Sequence, residues 1–258
     1  MTNRQKLWLA QDRQKVSYRR AFRPLFVSAI DRQIVPVLEL LKEANDIRDF
    51  VPVLIDNSPV EETYKKLYLT TAVDFAKKKR AALKKSYLKG EREVFEDMIQ
   101  DNVRTYLRIY GGSTITAVGD TSMSLIRDLV RSITAEIIEQ GLSASEGITM
   151  LRDRIQSEWH RAARYRTERI IRTEVNRASN YGSLEGMKSI GVAMNKVWLS
   201  AFTEKSRPTH MEADGQKVEL NDTFKVGGEN LQYPGDPDPA VSADNTINCL
   251  CSLYESLR

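Results

Sequence analysis

Two cysteines and one histidine near the C-terminus are the residues of this sequence best suited to chemistry. Cys249 and Cys251 are the chain's two cysteines, and His210 is one of its two histidines. Two thiols spaced by two on a predicted strand point the same way, so with His210 they could fill three of the four tetrahedral positions that zinc prefers. Asp214 is the candidate fourth ligand. Alternatively, the thiols are small buried apolar groups and His210 anchors the turn 207–216 by hydrogen bonds. A redox role for the thiol pair is a third interpretation.

The same residues could also form a catalytic group. His210, a carboxylate from Glu212 or Asp214, and one cysteine would supply a base, an orienting group and a nucleophile. The sequence contains no Gly-rich phosphate loop, no His-Glu-x-x-His motif and no nucleophile elbow. We therefore predict a protein that is not an enzyme, with no catalytic residue and no cofactor; a structural zinc at His210, Cys249 and Cys251 remains one of the alternatives given above. A catalytic or toxin-like module that uses the His210, Cys249 and Cys251 pocket is the alternative.

These residues belong to an ordered pattern that begins in the preceding predicted helix. Its members in chain order are Arg172-Thr173-Glu174, Trp198, Arg207, His210, Asp214-Gly215-Gln216, Phe224, Pro234-Gly235 and Cys249-x-Cys251. The pattern resembles the Mu F-like family of phage head morphogenesis proteins, also called minor head or minor capsid proteins, over about the last third of the chain. Two positions differ from the family pattern: Leu250 stands where a basic residue is usual, and Glu204 where Asp is frequent.

The resemblance implies a low-copy structural protein of a tailed-bacteriophage head, with a role in head morphogenesis and in DNA packaging or ejection. It implies that the protein is associated with the portal and the packaged DNA. The expected partners are the portal protein, a scaffold or major coat protein, and double-stranded DNA without sequence preference. The expected location is the head interior of the virion, and the host cytoplasm during assembly. Arg172 and Glu174 are expected to be a structural pair that fastens their helix to the sheet.

Composition favours a soluble, folded protein without a membrane partner. Hydrophobic residues make up 41% of the 258 residues and charged residues 29%, which is typical of globular domains. No apolar run approaches the roughly 18 residues that span a bilayer, and the first residues lack the apolar core of a secretory signal. We therefore expect the protein in the cytosol where it is made, and two cysteines in that compartment do not predict a disulfide framework.

Charge is distributed unevenly along the chain. Residues 203–258 hold five Lys/Arg against ten Asp/Glu, so the net charge of +4 for the whole chain leaves +9 on residues 1–202. This asymmetry favours a polyanion contact in the N-terminal, helical part.

Two basic clusters lie in that part. Residues 152–177 contain eight arginines against four acids, and residues 77–92 contain eight basic residues against one acid. Each cluster either contacts phosphates without regard to sequence or forms a solvated helix face with internal ion pairs. The predicted contacts with DNA or an acidic partner come from the second of these ranges: Lys77, Lys78, Lys79, Arg80, Lys84 and Lys85.

Apolar periodicity predicts an α+β fold, with a mostly helical N-terminal two-thirds followed by a small antiparallel sheet of short strands. Apolar residues spaced by four or seven predict helices up to Ile190, with a kink or a break at Pro36 and a further break near Ser157. Capping residues predict helix starts at Ser58 and Ser143. Glycines predict helix ends or bends at Gly90, Gly111-Gly112, Gly141 and Gly191.

After Gly191 the period changes to two, which predicts short strands. One strand would carry Ile247, Cys249 and Cys251 on a single face. The segment 113–122 is rich in Thr, Ser and Gly and is predicted to be a connector. The predicted regions are a helical region at 1–120, amphipathic helices at 121–192 and a small β-rich Mu F-like region at 193–258.

An aromatic stripe on the helices between Ser58 and Gly141 has two interpretations. Either it is exposed and docks on the portal ring or inner coat, or it fills the core of this chain. Its members are Tyr64, Tyr68, Phe75, Phe95 and Tyr106.

Overall fold

The computed structural model of the protein describes residues 1–44, 55–87 and 93–257. Within these ranges the chain is mostly helical, and short antiparallel strands follow near the C-terminus. The predicted α+β class is therefore confirmed. The predicted helix end or bend at Gly90 lies outside the described residues.

Long helices make up most of the first 188 residues. They are α1 (Asn3–Arg32), α2 (Val35–Glu43), α3 (Ser58–Tyr87), α4 (Glu93–Tyr106), α5 (Gly112–Gln140) and α6 (Ala144–Lys188), and a π-helical turn (Leu107–Gly111) joins α4 to α5. Among the described residues, no helix is both long and apolar enough to cross a membrane.

Several predicted helix boundaries are confirmed. α1 ends at Arg32, and Pro36 lies in the first turn of α2, where its missing N–H costs no helical hydrogen bond. α3 starts at Ser58, whose N–H donates to the carboxylate of Asp56 at 2.9 Å. At the start of α6 the carboxylate of Glu146 accepts hydrogen bonds from the N–H and the hydroxyl of Ser143, as the capping pattern predicts.

The predicted connector at 113–122 is wrong, because these residues lie inside α5. Packing explains the difference: Ser122 donates to the side-chain oxygen of Gln33 at 2.9 Å, and Gly119 faces the side chain of Asn57. Small residues are needed on this face, and that tertiary requirement overrides their weak helix propensity.

Two predicted interruptions of helices are also wrong. Gly111 and Gly112 do not end the helical tract, since Gly111 has helical angles and the π-helical turn continues it. α6 passes through Ser157 without a break, and the hydroxyl of Ser157 donates to the carbonyl of Arg154 within the helix.

The C-terminal part contains short strands and two short helices. They are β1 (Met194–Leu199), α7 (Pro208–Glu212), β2 (Lys217–Glu219), β3 (Phe224–Val226), β4 (Glu229–Leu231), α8 (Ala243–Thr246) and β5 (Ser252–Leu257). An antiparallel sheet has the strand order β2-β1-β5, with Val197 opposite Lys217 on one side and Tyr254 on the other. β3 and β4 form a separate antiparallel hairpin.

Contacts divide the chain into two compact units. One consists of Met1–Phe22, Lys65–Tyr110 and Arg169–Arg258, and the other of Arg23–Tyr64 and Gly111–Glu168. Every described strand lies in the first unit, around a core that includes Trp8, Trp198, Phe224 and both cysteines. The predicted region boundaries at 120 and 192 stay a prediction; residue 120 lies within α5, and residue 192 lies between α6 and β1.

The aromatic stripe is buried, which contradicts its interpretation as an exposed docking surface and supports the interpretation in which it fills the core of this chain. The side chains keep between 0% and 7% of their surface, because they pack within the protein's own core. Tyr106 illustrates this packing, with its ring 5.2 Å from Tyr68 and 4.4 Å from Tyr181. The buried residues are Tyr64, Tyr68, Phe75, Phe95 and Tyr106.

Candidate functional site

The structure brings His210, Cys249 and Cys251 together. Nδ1 of His210 lies 3.6 Å from Sγ of Cys249 and 3.4 Å from Sγ of Cys251. The three potential ligand atoms lie within 4.8 Å of one another, and each residue keeps only 2% of its surface exposed. The convergence predicted from residue type is therefore present.

The two thiols converge from an irregular segment, so their predicted position on a strand is wrong. Cys249 and Cys251 follow α8 and precede β5, which begins at Ser252. Between them and α8, Asn248 has a φ of 59°, and its N–H donates to the hydroxyl of Thr173 in α6 at 3.0 Å. A left-handed backbone conformation is not that of a β-strand. The chain therefore turns at Asn248, and both thiols lie next to His210.

Hydrogen bonds determine which nitrogen of His210 faces the thiols. The side-chain NH₂ of Asn245 donates to the carboxylate of Glu229 at 2.6 Å and to the carbonyl of Val226 at 3.3 Å. The amide oxygen of Asn245 therefore faces Nε2 of His210, at 3.3 Å. An amide oxygen only accepts, so Nε2 carries the proton and Nδ1 presents its lone pair to the sulfurs.

Contacts from distant helices hold the segment that carries the thiols. The carbonyl of Cys251 accepts from Nδ2 of Asn180 at 3.0 Å and from Nζ of Lys15 at 3.4 Å. Lys15 also donates to Asn176 and to Ser252, each at 2.6 Å. Further bonds join Trp8 Nε1 to the carbonyl of Leu250 at 3.0 Å and Arg207 Nη2 to the carbonyl of Ile247 at 2.6 Å.

Sequence reasoning missed Lys15, Asn176, Asn180 and Asn245. The polar residues of α6 recur on one helical face, at Thr173, Asn176 and Asn180, and all are buried. A polar stripe at helical spacing within an apolar tract was the available signal. Lys15 gave no such signal, because its partners lie more than 160 residues away.

The environment shifts the pKa values of the two thiols in opposite directions. The pKa of Cys249 is lowered because the side chain of Cys251 hydrogen-bonds to it. The pKa of Cys251 is raised well above its ordinary value, because that bond holds its proton and burial disfavours a thiolate. Burial also lowers the pKa of Lys15 to about 8.

A cavity of about 450 Å³ opens beside the three residues. Basic residues are prominent in its lining, and none of the described lining residues is Asp or Glu. The cavity gives a small ligand or a water molecule access to the cluster, and its walls favour anions. The basic lining residues are Arg19, Arg172, Lys205 and Arg207.

Asp214 does not lie in the cluster, so its predicted place as the fourth metal ligand is wrong. Its carboxylate accepts from the N–H of Ser200 at 2.8 Å and pairs with Arg4 at 2.7 Å. Gly215 has a φ of +85°, which confirms that the turn requires a glycine there.

Trp198 is fully buried, with its ring edge-on to His210 at 5.6 Å and to Phe224 at 5.3 Å.

The predicted pair of Arg172 and Glu174 is absent from the described contacts. Residues two apart on a helix do not face each other, and Glu174 instead pairs with Arg177 at 2.9 Å and accepts from the hydroxyl of Tyr68 at 2.8 Å. Arg172 is exposed and lines the cavity. Thr173 and Arg177 fasten α6 to the C-terminal segments, since Arg177 Nε donates to the carbonyl of Gly235 at 2.7 Å.

Lys77, Lys78, Lys79 and Arg80 of the predicted DNA-contact residues contact side chains within the protein. Lys77 pairs with Glu96 at 2.8 Å, Lys78 with Asp74 at 2.6 Å, and Lys79 with Glu255 at 2.7 Å. Arg80 lies 4.1 Å from the centre of the Phe95 ring, Lys84 is half-buried, and Lys85 is exposed.

Two chemistries fit the cluster of His210, Cys249 and Cys251. The first is metal ligation, since two thiols and an imidazole are preferred ligands of zinc. The second is nucleophilic catalysis, in which a thiol, His210 and Asn245 would act as nucleophile, base and orienting group. Burial of both thiols opposes the second, because reactive cysteines are usually at least partly exposed.

Comparison with known proteins identifies the region that holds this cluster. Residues 129–254 match the family model described as "Phage Mu protein F like protein". This region is therefore a Mu F-like region, which confirms the resemblance inferred from the ordered motif and extends it upstream. No solved structure gives a significant match.

Three curated proteins share part of the sequence. Minor head protein GP7 of Bacillus phage SPP1 is 27% identical over 129 residues, or 49% of this chain and 40% of GP7. Uncharacterized protein YqbB of Bacillus subtilis is 26% identical over 184 residues, or 66% of this chain and 58% of YqbB. NAD(+)–arginine ADP-ribosyltransferase EFV of Enterococcus faecalis is 26% identical over 134 residues, or 50% of this chain and 26% of EFV.

The matches cover between 26% and 58% of these relatives' own lengths. The family match and the similarity to GP7 together support a phage head protein.

Proposed function

We propose that this protein, whose residues 129–254 match the Mu F-like family, is a minor structural protein of a tailed-phage head. It acts in head morphogenesis and resides in the head interior, after assembly in the host cytoplasm. The observation that carries the proposal is the family match together with the similarity to a minor head protein. We further propose that it docks on the portal, and that the scaffold and the major coat protein are the other candidate contacts.

The location can be tested in the phage that encodes this chain. Particles are purified with and without the gene, and their proteins are identified by mass spectrometry and counted per portal ring. We expect the chain in wild-type heads at low copy, and crosslinks from it to the portal. Heads that lack the chain, while it accumulates in the lysate, would contradict the proposal. Crosslinks to scaffold or coat alone would reject the portal contact.

We also propose that the N-terminal, helical part contacts packaged DNA through phosphates. The charge of +9 on residues 1–202 supports this, against −5 on the remainder. The ion pairs of Lys77, Lys78 and Lys79 reduce the charge that α3 offers, so contact there would compete with three carboxylates. Attraction of this kind weakens steeply with salt, because binding releases counterions from the phosphates.

Fluorescence anisotropy of labelled duplex DNA with the full-length protein tests this contact. Neutralising Lys77, Lys78 and Lys79 to Gln should lower both the affinity and its salt dependence, by about one unit of slope for each phosphate interaction that the substitutions remove. The matched control neutralises three lysines of the acidic C-terminal part to Gln: Lys205, Lys217 and Lys225. Equal losses in the two triple variants would reject the helical contact. A normal affinity in the first variant would exclude the three lysines of α3 and leave the basic cluster at residues 152–177 as the contact of the helical part.

A catalytic module is the second candidate function. The observation that favours it is the order of contacts from a thiol to Nδ1 of His210, and from Nε2 to the amide oxygen of Asn245. Its test is iodoacetamide labelling of the native protein across pH. A nucleophilic thiol reacts faster than free cysteine at neutral pH, whereas slow labelling of both thiols rejects this candidate.

A further inference from the structure

We infer that His210, Cys249 and Cys251 bind one zinc ion, with a fourth coordination position open to water from the adjoining cavity. The inference rests on the geometry of these residues and is independent of the head function proposed above. The absence of zinc would not contradict the head function, and a protein outside the phage head could still bind zinc, because the two proposals rest on different observations.

The distances from the histidine nitrogen to the two sulfurs already suit a tetrahedral ion. Zinc bonds of about 2.3 Å to sulfur and about 2.0 Å to nitrogen, at tetrahedral angles, separate a sulfur from the nitrogen by roughly 3.6 Å. The observed separations from Nδ1 of His210 are 3.6 Å to Cys249 and 3.4 Å to Cys251. Both sulfur-to-nitrogen separations are therefore within a few tenths of an ångström of those in a tetrahedral zinc site.

A metal ion also makes full use of the three ligand atoms. Without an ion, the single lone pair of Nδ1 accepts from one thiol at a time, and the second thiol is left to a weak contact between sulfurs. An ion at the centre engages the lone pair and both sulfurs at once. Binding converts both thiols to thiolates and releases their two protons, so the charges of zinc and its protein ligands cancel.

Outer contacts present His210 in the form that a metal requires. Glu229 and the carbonyl of Val226 orient the amide of Asn245, whose oxygen accepts a hydrogen bond from Nε2–H of His210, so that Nδ1 carries no proton. Histidine ligands of metal sites commonly have such a partner on the opposite nitrogen. The carbonyls of Leu250 and Cys251 are bonded to Trp8, Lys15 and Asn180, so the thiols are held in place before an ion arrives.

The fourth position faces the cavity lined by Arg19, Arg172, Lys205 and Arg207. With Asp214 committed to Ser200 and Arg4, a water molecule is the remaining ligand. Two thiolates and an imidazole select a soft or borderline ion, which favours zinc and disfavours magnesium and calcium. The cation-lined walls are compatible with the ion because the two thiolates neutralise it.

Metal analysis of the full-length protein, purified without chelator, tests the inference. We expect about one zinc per chain by mass spectrometry of the metal. Replacement by Co²⁺ should give thiolate-to-cobalt charge-transfer absorption and the intense visible bands of a tetrahedral ion. Cys249→Ser, Cys251→Ser and His210→Asn should each reduce zinc to below about a tenth per chain. His160→Asn is the matched control, because the other histidine is exposed and contacts Asp31, and it should keep the wild-type content.

The wild-type protein decides the question even where a ligand variant fails to fold. Folded wild type that stays free of metal after incubation with Zn²⁺, and whose thiols react equally fast with and without Zn²⁺, would overturn the inference. Zinc retained by His160→Asn and protection of both thiols by Zn²⁺ but not by Mg²⁺ would establish it. Zinc retained by His210→Asn in a folded protein would also reject the proposed ligand set.

Discussion

Glu174 and Arg177, less than one turn apart in α6, form an ion pair at 2.9 Å with side chains that keep only 4% and 7% of their exposure. Each partner also has a contact outside α6. Glu174 accepts from the hydroxyl of Tyr68 in α3, and Arg177 donates to the carbonyl of Gly235 in the loop after β4. The pair therefore links α3, α6 and the C-terminal segments within one compact unit.

Breaking this pair should strongly destabilise the protein. We expect Arg177→Met to lower the free energy of unfolding by about 3–5 kcal/mol, because the buried carboxylate of Glu174 would lose its countercharge. The double variant Glu174→Gln, Arg177→Met should lose less than the sum of the single variants. Urea denaturation measures these differences.

The control for this prediction is the exposed pair of Glu158 and Arg161, which has the same spacing in the same helix. Arg161→Met should change stability by less than about 0.5 kcal/mol, since exposed pairs contribute little. Similar losses in the buried and exposed variants would contradict the argument from burial.

Gly182→Ala should destabilise the contact between α3 and α6. A Cβ at position 182 would lie 2.1 Å from the carbonyl oxygen of Ala72, which is backbone and cannot move aside alone. We expect a loss of about 2–4 kcal/mol from overpacking, despite the better helix propensity of alanine. Gly112→Ala is the control, because nothing lies within 4 Å of that position; it should be neutral or stabilising by up to about 1 kcal/mol. Equal thermal melting of both variants would refute the close approach of the helices.

Lys196 should make stability depend on pH. Its side chain is fully buried, where Nζ donates to the carbonyls of Leu220 and Gln232, and burial lowers its pKa to about 7 from 10.5. Between these values the unfolded chain binds more protons than the folded one, so this group makes the protein more stable as pH rises from about 7 to about 10.

Comparison of the wild type with Lys196→Met measures this effect. The stability difference between the two should shift in favour of the wild type by roughly 1 kcal/mol per pH unit in that window. Lys225→Met, at an exposed position of β3, should leave the pH dependence unchanged. A difference that does not vary between pH 7.5 and 9, both within the window of roughly 7 to 10, would show that the ammonium stays charged in the folded protein.

Asn245→Ala should weaken zinc binding without removing a ligand. The variant would lose the oxygen that accepts a hydrogen bond from Nε2–H of His210, and loss of such an outer contact typically lowers metal affinity by about 10–100-fold. Competition with a chromophoric chelator measures the change. Asn230→Ala, at an exposed position of β4, is the matched control. An unaltered affinity in Asn245→Ala would mean that Asn245 does not orient the histidine.

Local sequence patterns determined the parts of this protein that depend on neighbouring residues. The break before Pro36, the start at Ser143 and the positive φ of Gly215 follow from proline, capping and turn chemistry, which act within a few residues. The motif of Arg207, His210 and the two cysteines also identified the Mu F-like region, because residue type and order are properties of the sequence itself.

Tertiary structure decided the rest, because long-range packing overrides weak local preferences. Gly119 and Ser122 lie in α5 rather than a connector, since Asn57 and Gln33 require small side chains opposite them. The thiols meet His210 through the left-handed turn at Asn248, which a period of two does not predict. Lys15 donates to the carbonyl of Cys251, which lies 236 residues later in the sequence. Only folding brings two groups so distant in sequence into contact.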